Sequence, residues 1–431
     1  MQQKTNIVIR PAQNILGSLR MPGDKSISHR YAMLAALAPG QSRFENYSPG
    51  ADCRSTLECV QALGCDVAID AMSTVTIRGL GLRLQPPPHP LDCGNSGSTM
   101  RMLSGILAGQ PFTSELFGDE SLSRRPMKRI MEPLTQMGAR ITAASGDCAP
   151  LTIAGGSLTG ITYRPRVASA QVKTCVLFAG LLASGETVVE EPTRTRDHGE
   201  LALGAFGVTV ERVGNRVSVA GGQTLTPLEA YIPGDSSSAA FFLCAAAIFP
   251  ESNVVIDGVL LNPTRSALLD VLAAMGCKVS MLRVEEQWGE LVGTISLVPG
   301  PGKHVVISGA QTALLIDELP VLAAIAPFTA GGIEVRDAGE LRVKESDRLS
   351  AVTANLRAMG AQLKQTPDGW IIPGNQKLHG AEVDSYGDHR IAMAFAIAAL
   401  RADGDTTIRD PECVAISYPG FFTDLEKLVE R

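Results

Sequence analysis

One pattern recurs five times along the chain and limits what the chain can fold into. An aliphatic residue is followed by Leu, Met or Phe three positions on, then by Gly, then by a second aliphatic residue. It reads Val60-Gln-Ala-Leu-Gly64-Cys-Asp-Val67, Leu134-Thr-Gln-Met-Gly138-Ala-Arg-Ile141 and Leu203-Gly-Ala-Phe-Gly207-Val-Thr-Val210, then Leu272-Ala-Ala-Met-Gly276-Cys-Lys-Val279 and Leu356-Arg-Ala-Met-Gly360-Ala-Gln-Leu363. Each copy predicts a helix stopped by a glycine cap that leads straight into a strand. The glycines stand about 70 to 85 residues apart.

A second series interleaves with the first. Six polar starts precede apolar, Ala-rich stretches: Gly23-Asp-Lys-Ser26, Gly94-Asn-Ser-Gly-Ser-Thr-Met-Arg101, Ala168-Ser-Ala-Gln-Val-Lys173, Pro233-Gly-Asp-Ser-Ser-Ser238, Ile316-Asp-Glu-Leu-Pro320 and Gly387-Asp-His-Arg390. Asp and Ser at such positions predict helix N-caps. The helices that follow are apolar on nearly every face, as in Phe241-Phe-Leu-Cys-Ala-Ala-Ala-Ile248, so they belong inside a domain. Strand, buried helix, strand, amphipathic helix and further strands make one module, and six modules imply an α/β class.

Pro-Gly-Asp opens both the first and the fourth module, which groups the six as two sets of three. The sixth copy stops at Asp424-Leu-Glu-Lys-Leu-Val429 before any glycine cap or strand, while the strand Thr5-Asn-Ile-Val-Ile9 has no module of its own. Residues 21–233 then form a first domain, and residues 1–20 with 234–431 a discontinuous second one, hinged near 21–22 and 232–234. Two sequential domains with a frayed N-terminus would be simpler, but Pro-Gly at both crossings favours the discontinuous arrangement. Glu285-Glu-Gln-Trp-Gly-Glu290 reads as a solvated hairpin tip, and Pro299-Gly-Pro-Gly302 as a turn between strands.

Aromatic residues make up only 5% of the chain, so the core must be built from Ala, Val, Leu and Ile. A net charge of −6 argues against a nucleic-acid partner. Nine scattered cysteines without a C-x-x-C pair point to reduced, buried thiols, and six unclustered histidines indicate no metal site. No apolar run is long enough to span a bilayer, and Met1-Gln-Gln-Lys-Thr5 lacks a signal peptide's apolar core. A cytoplasmic protein is expected.

Helix starts on one side of each domain would point several positive dipole ends at the same place. Lys25, Arg30, Arg101, Lys173, His389 and Arg390 lie near those starts. The run Leu341-Arg-Val-Lys-Glu-Ser-Asp-Arg-Leu349 adds Arg342, Lys344 and Arg348 beside Glu345 and Asp347, and a loop adds Arg124-Arg125. Such cations suit a small anionic ligand. Each also has an ordinary reading. Lys25 and Arg30 could simply follow a helix start, and Arg342–Arg348 could be a charged helix face. Arg124-Arg125 could be a surface loop, Asp317 a cap, and His389 part of a capping turn. Neither a P-loop nor a dinucleotide fingerprint occurs.

Eight runs together carry a resemblance. They are P-G-D-K-S-I-S-H-R at 22–30, G-N-S-G-S-T-M-R at 94–101, G-D-E-S-L-S-R-R-P-M at 118–127, S-A-Q-V-K at 169–173, P-G-D-S-S-S-A-A-F at 233–241, I-D-E-L-P at 316–320, R-V-K-E-S-D-R-L at 342–349 and D-H-R-I-A-M at 388–393. On these, and over its whole length, the chain resembles the EPSP synthase family, the 3-phosphoshikimate 1-carboxyvinyltransferases of the shikimate pathway. The resemblance implies the two-domain enolpyruvyl transferase fold, with three βαβαββ modules per domain around buried parallel helices. It implies transfer of enolpyruvate from phosphoenolpyruvate to the 5-hydroxyl of shikimate 3-phosphate through a tetrahedral intermediate. It also implies small-molecule partners only, a monomer, and no cofactor or metal.

By motif, the resemblance gives Asp317, Glu345 and Lys25 catalytic roles. It assigns Lys25, Ser26, Arg30, Ser169, Ala170, Gln171, Arg196, Asp317 and Lys344 to shikimate 3-phosphate. To phosphoenolpyruvate it assigns Lys25, Asn95, Gly97, Arg125, Gln171, Lys344, Arg348, His389 and Arg390. The chain departs from many members at Ile416, where they carry a lysine, and at Ser96 and Ser98, where they carry Ala and Thr. With S-A-Q-V-K and T-R-D-H these lean toward the divergent class that includes glyphosate-tolerant members, although Gly97 is retained. Two other readings are a UDP-N-acetylglucosamine enolpyruvyl transferase and a non-catalytic, repeat-built anion binder. The first has Lys-Asn in place of Lys25-Ser26 and commonly a loop cysteine that is absent from 117–127 here. The second does not explain Asp317 and Glu345 among the cations.

Overall fold

All six polar starts open buried helices. They are α1 (Lys25–Leu37), α2 (Gly97–Ala108), α3 (Ala170–Leu181), α4 (Ser236–Ala247), α5 (Leu319–Ile325) and α6 (His389–Ala399). The side chains of Asp24, Ser96, Ser169, Asp235 and Asp388 accept from backbone N–H groups in the first turns, which satisfies donors that a helix start leaves open. The fifth start differs: Glu318 precedes α5 without a side-chain cap, and Pro320 stands in its first turn. The five repeat glycines all adopt positive φ, from 82° at Gly207 to 113° at Gly138, as helix-ending glycines do.

The computed structural model describes residues 5–431, which divide into two bodies. The first holds Gly23–Ile232 with Trp288–Glu290; the second holds residues 5–22, Pro233–Gln287 and Leu291–Arg431. Each contains three modules built to one plan, clearest in the second. There Leu91–Asp92 lies parallel to Thr113–Phe117, Cys148–Ala154 runs antiparallel to that strand, and Arg140–Ala144 closes the edge. Parallel neighbours need a crossover, and α2 supplies it.

Three modules borrow strands from far along the chain. In the first body, Glu229–Tyr231 lies parallel to Gly40–Glu45 and so leads the first module from the body's far end. In the second body, Asn14–Arg20 leads the fourth module, parallel to Asn253–Leu260. The sixth module takes Asn6–Ile9 as its last strand, antiparallel to Thr406–Arg409. The short Val429–Glu430 pairs instead with Asn14 and Ile15.

Two aromatic clusters stand where the first and last modules of each body meet. Tyr31, Phe44 and Phe206 form one cluster, with ring centroids 5.4–6.3 Å apart. Phe241, Phe242, Tyr418 and Phe421 form the other. Between buried helices the packing also depends on small residues. A Cβ on Gly105 of α2 would lie 2.1 Å from the Cys175 carbonyl oxygen of α3, so these helices touch backbone to backbone. All nine cysteines are free, with Cys148 and Cys413 half-buried and the rest buried. Among the described residues no helix is long and apolar enough to cross a membrane.

The hairpin expected at 285–290 is present, between strands Lys278–Gln287 and Glu290–Val298. Its tip is not wholly solvated. Trp288 is half exposed, but Glu290 is only 3% exposed and its carboxylate lies 2.6 Å from His198 Nδ1. The run is solvated at Glu285, Glu286 and Trp288 as read, but Glu290 at its end is buried in the first body.

Candidate active site

In the first body the starts of α1, α2 and α3 bring one set of polar side chains together. Lys25, the first residue of α1, places its ammonium 2.9 Å from Asp52 Oδ2. Ser26 offers its carbonyl oxygen to Arg30 at 2.8 Å, and Arg30 also donates to Thr174 Oγ1 of α3 at 3.1 Å. Burial lowers the Arg30 guanidinium to about 10, against the pull of Asp24 and Glu200, and Arg196 adds like-charge repulsion. It remains a cation at neutral pH. His29 beside it is held well below its usual range by burial, and by the charges of Lys25 and Arg30. The neutral ring bonds to Thr56 Oγ1 at 2.6 Å, and Thr56, Thr99 and Ser96 continue that chain at 2.7 Å each.

Arg125 is buried and held in place. It donates to Asn95 Oδ1 and Ser121 Oγ at 2.9 Å each, and Asn95 in turn donates to Asp119 at 2.7 Å. Asn95 thus orients an arginine. Arg124, its neighbour in sequence, is exposed and pairs with Glu120. Gln171 joins two helix starts: its Oε1 accepts from Arg101 at 2.8 Å, and its Nε2 donates to Ser98 Oγ at 2.8 Å. Gly97 lies where Arg101 and Arg125 converge, since a Cβ there would be 2.7 Å from one guanidinium nitrogen and 3.5 Å from the other. The two serines that depart from the family pattern both have partners here, Ser96 as a cap and Ser98 on Gln171. Ser169 caps α3, Ala170 opens it, and Arg196 is half-buried in the loop before His198.

In the second body a different arrangement surrounds Asp317. Arg348 Nη1 lies 3.5 Å from its carboxylate, and Lys344 Nζ and Arg390 Nη2 each lie 3.8 Å away. Arg390 also donates to the Asp317 carbonyl oxygen at 3.0 Å. Arg348 is 1% exposed and bonds Asp388 at 2.7 Å and Glu345 at 2.6 Å. Burial opposes its charge, yet Asp388, Glu345 and Asp317 together raise its pKa above the ordinary arginine value. His389 and Arg390 form the first turn of α6, and both are buried.

This geometry rules out several of the readings open from the sequence. Arg342–Arg348 is not one helix face: a 3₁₀ turn ends at Val343, and the next helix starts at Arg348 behind its cap Asp347. Arg342 anchors backbone, donating to the Pro367 carbonyl oxygen and pairing with Asp347. Asp317 is not a cap, because Glu318 stands at the cap position. Lys173 does not join the anion-binding cations. It is 1% exposed and faces Glu191 at 3.0 Å and Glu200 at 2.8 Å. Ile416, in the place of the family's lysine, ends a 3₁₀ turn, Pro411–Ile416, and is half-buried. Sequence reasoning missed Asp52, which pairs with Lys25 across 27 positions, and Asp388 as the holder of Arg348 across 40.

Cations gathered by helix starts, with carboxylates among them, suit small, multiply charged anions. A family model described as EPSP synthase (3-phosphoshikimate 1-carboxyvinyltransferase) matches residues 9–425. The chain is 62% identical over 426 residues to the 3-phosphoshikimate 1-carboxyvinyltransferase of Koribacter versatilis, covering 99% of this chain and 100% of that one. It is 53% identical over 423 residues to the protein of that name from Solibacter usitatus, covering 98% and 99%. An EPSP synthase structure from Acinetobacter baumannii superposes with a TM-score of 0.88 at 39% identity, covering 99% of this chain and 98% of that one. The fold also matches the enolpyruvyl transferase NikO of Streptomyces tendae, at TM-score 0.77 and 18% identity. The chain belongs to the EPSP synthase family.

Proposed function

We propose that this chain transfers the enolpyruvyl group of phosphoenolpyruvate to the 5-hydroxyl of shikimate 3-phosphate and releases inorganic phosphate. One observation carries the assignment of chemistry beyond family membership: the Asp317 carboxylate stands among Lys344, Arg348 and Arg390, with Glu345 on the same Arg348. Asp317 takes the proton of the 5-hydroxyl as its oxygen bonds to C2 of phosphoenolpyruvate. The methylene carbon accepts a proton from Glu345 or Lys25, giving the tetrahedral intermediate. Removal of a proton from that carbon and loss of phosphate from C2 restore the double bond.

Lys25, Ser26, Arg30, Ser169, Ala170, Gln171 and Arg196 hold shikimate 3-phosphate, with Asp317 and Lys344. Lys25, Asn95, Gly97, Arg125, Gln171, Lys344, Arg348, His389 and Arg390 serve phosphoenolpyruvate, Asn95 by orienting Arg125. The substrates carry two phosphates and two carboxylates, which explains why cations dominate. Fixed charges that need no reorganisation also stabilise developing charge. The enzyme works in the cytoplasm as a monomer. Phosphate release from phosphoenolpyruvate tests the reading: it should require shikimate 3-phosphate. Release with UDP-N-acetylglucosamine in its place would select the sister activity, and release with neither would overturn both.

A further inference from the structure

The first body contains four charges that the proposed chemistry does not use. Lys173 Nζ lies 3.0 Å from Glu191 Oε2 and 2.8 Å from Glu200 Oε1. Arg212 reaches the same two oxygens at 3.5 Å and 2.5 Å. Two cations and two carboxylates balance, and Lys173, Glu191 and Glu200 are all buried. Such a cluster is a poor source of stability, because removing four charges from water costs about what their attraction returns. What it fixes in space is more informative.

The remaining oxygen of Glu191, Oε1, accepts from the Thr195 backbone N–H at 3.2 Å and from the Thr195 hydroxyl. Thr195 immediately precedes Arg196. Lys173 sits one turn into α3, whose first residues are Ala170 and Gln171 behind the cap Ser169. Glu200 lies in the first turn of the helix His198–Ala205 that follows Arg196. The cluster therefore ties the start of α3, the loop before Arg196 and the helix after it to one another, beneath the residues assigned to shikimate 3-phosphate. The same start of α3 receives Arg30 through Thr174.

We propose that Glu191, through Thr195 and Lys173, is a positioning residue that sets Arg196 and the start of α3 at the spacing shikimate 3-phosphate requires. The inference rests on the substrate assignment above. Neither Glu191 nor Thr195 is among the residues assigned to substrate, so their effect should fall on one substrate's affinity and not on the chemical step.

Two variants test it. Thr195→Val removes only the hydroxyl link, and Glu191→Gln weakens the cluster while keeping its shape. Binding of shikimate 3-phosphate should weaken about tenfold in each by calorimetry. Its KM should rise in parallel, while kcat and the KM of phosphoenolpyruvate stay within about twofold of wild type. Thr195→Ser should restore binding. If Glu191→Gln does not fold, Thr195→Val alone decides. A lowered unfolding midpoint with unchanged shikimate 3-phosphate binding would reduce the cluster to a structural brace and overturn the proposal, as would a fall in kcat with KM unchanged. A wild-type chain that releases no phosphate would overturn the assigned reaction, and the binding measurements would still decide the role of Glu191.

Discussion

Asp317 has its carboxylate among three cations, and a base in that position works only while its acceptor oxygen is aimed at a substrate hydroxyl. Asp317→Asn keeps the shape and a hydrogen-bond acceptor but loses the basic carboxylate. It should bind both substrates yet lose at least about 100-fold in kcat, measured by phosphate release; retention of full turnover would remove Asp317 as the base. Gly97 stands where any side chain would push Arg101 or Arg125. Gly97→Ala should raise the KM of phosphoenolpyruvate more than that of shikimate 3-phosphate in the same assay. His29 governs a different property. The folded state keeps it neutral, whereas the unfolded chain takes up a proton below about 6.5. The unfolded state therefore binds more protons in that range, and stability should fall as pH drops through it. Urea midpoints measured between about pH 7.5 and 5.5 should show the fall, with a shallower slope in His29→Asn; equal slopes would count against it.

At the scale of elements, helix ends explain most of what the sequence made legible. Asp and Ser caps, and glycines after the amphipathic helices, are local signals, and all but Asp317 read correctly because they act within a few residues. Gly207→Ala forces a side chain into a backbone with φ of 82° and should cost about 1–2 kcal/mol in chemical denaturation. Ser169→Ala removes the cap of α3 and should cost about 1 kcal/mol. What was not legible is set by topology. Lys173 follows Gln171 so closely that it read as a cleft cation, yet two further positions around α3 turn it into the interior, toward Glu191 and Glu200. Glu290 looked like part of a solvated turn because Glu285, Glu286 and Gln287 precede it in sequence, but its partner is His198, 92 positions away. The Asp52–Lys25 and Asp388–Arg348 pairs were hidden for the same reason. An ion pair across tens of residues leaves no periodicity, whereas a helix stop does.

For the whole molecule, the aromatic clusters mark where the first and last modules of each body join. Phe206→Ala should destabilise by about 3–5 kcal/mol, and more than a comparable change inside a single module. The borrowed strands have a further consequence, for the order of synthesis. Gly40–Glu45 leaves the ribosome long before its parallel partner Glu229–Tyr231, roughly 190 residues later, an interval of about 10 to 40 s at 5–20 residues per second. Asn14–Arg20 waits roughly 240 residues for Asn253–Leu260, and Asn6–Ile9 longer still for Thr406–Arg409, one of the last segments made. The earliest-made strands of this protein thus wait longest for their neighbours, and their open edges are what a nascent-chain chaperone would have to cover.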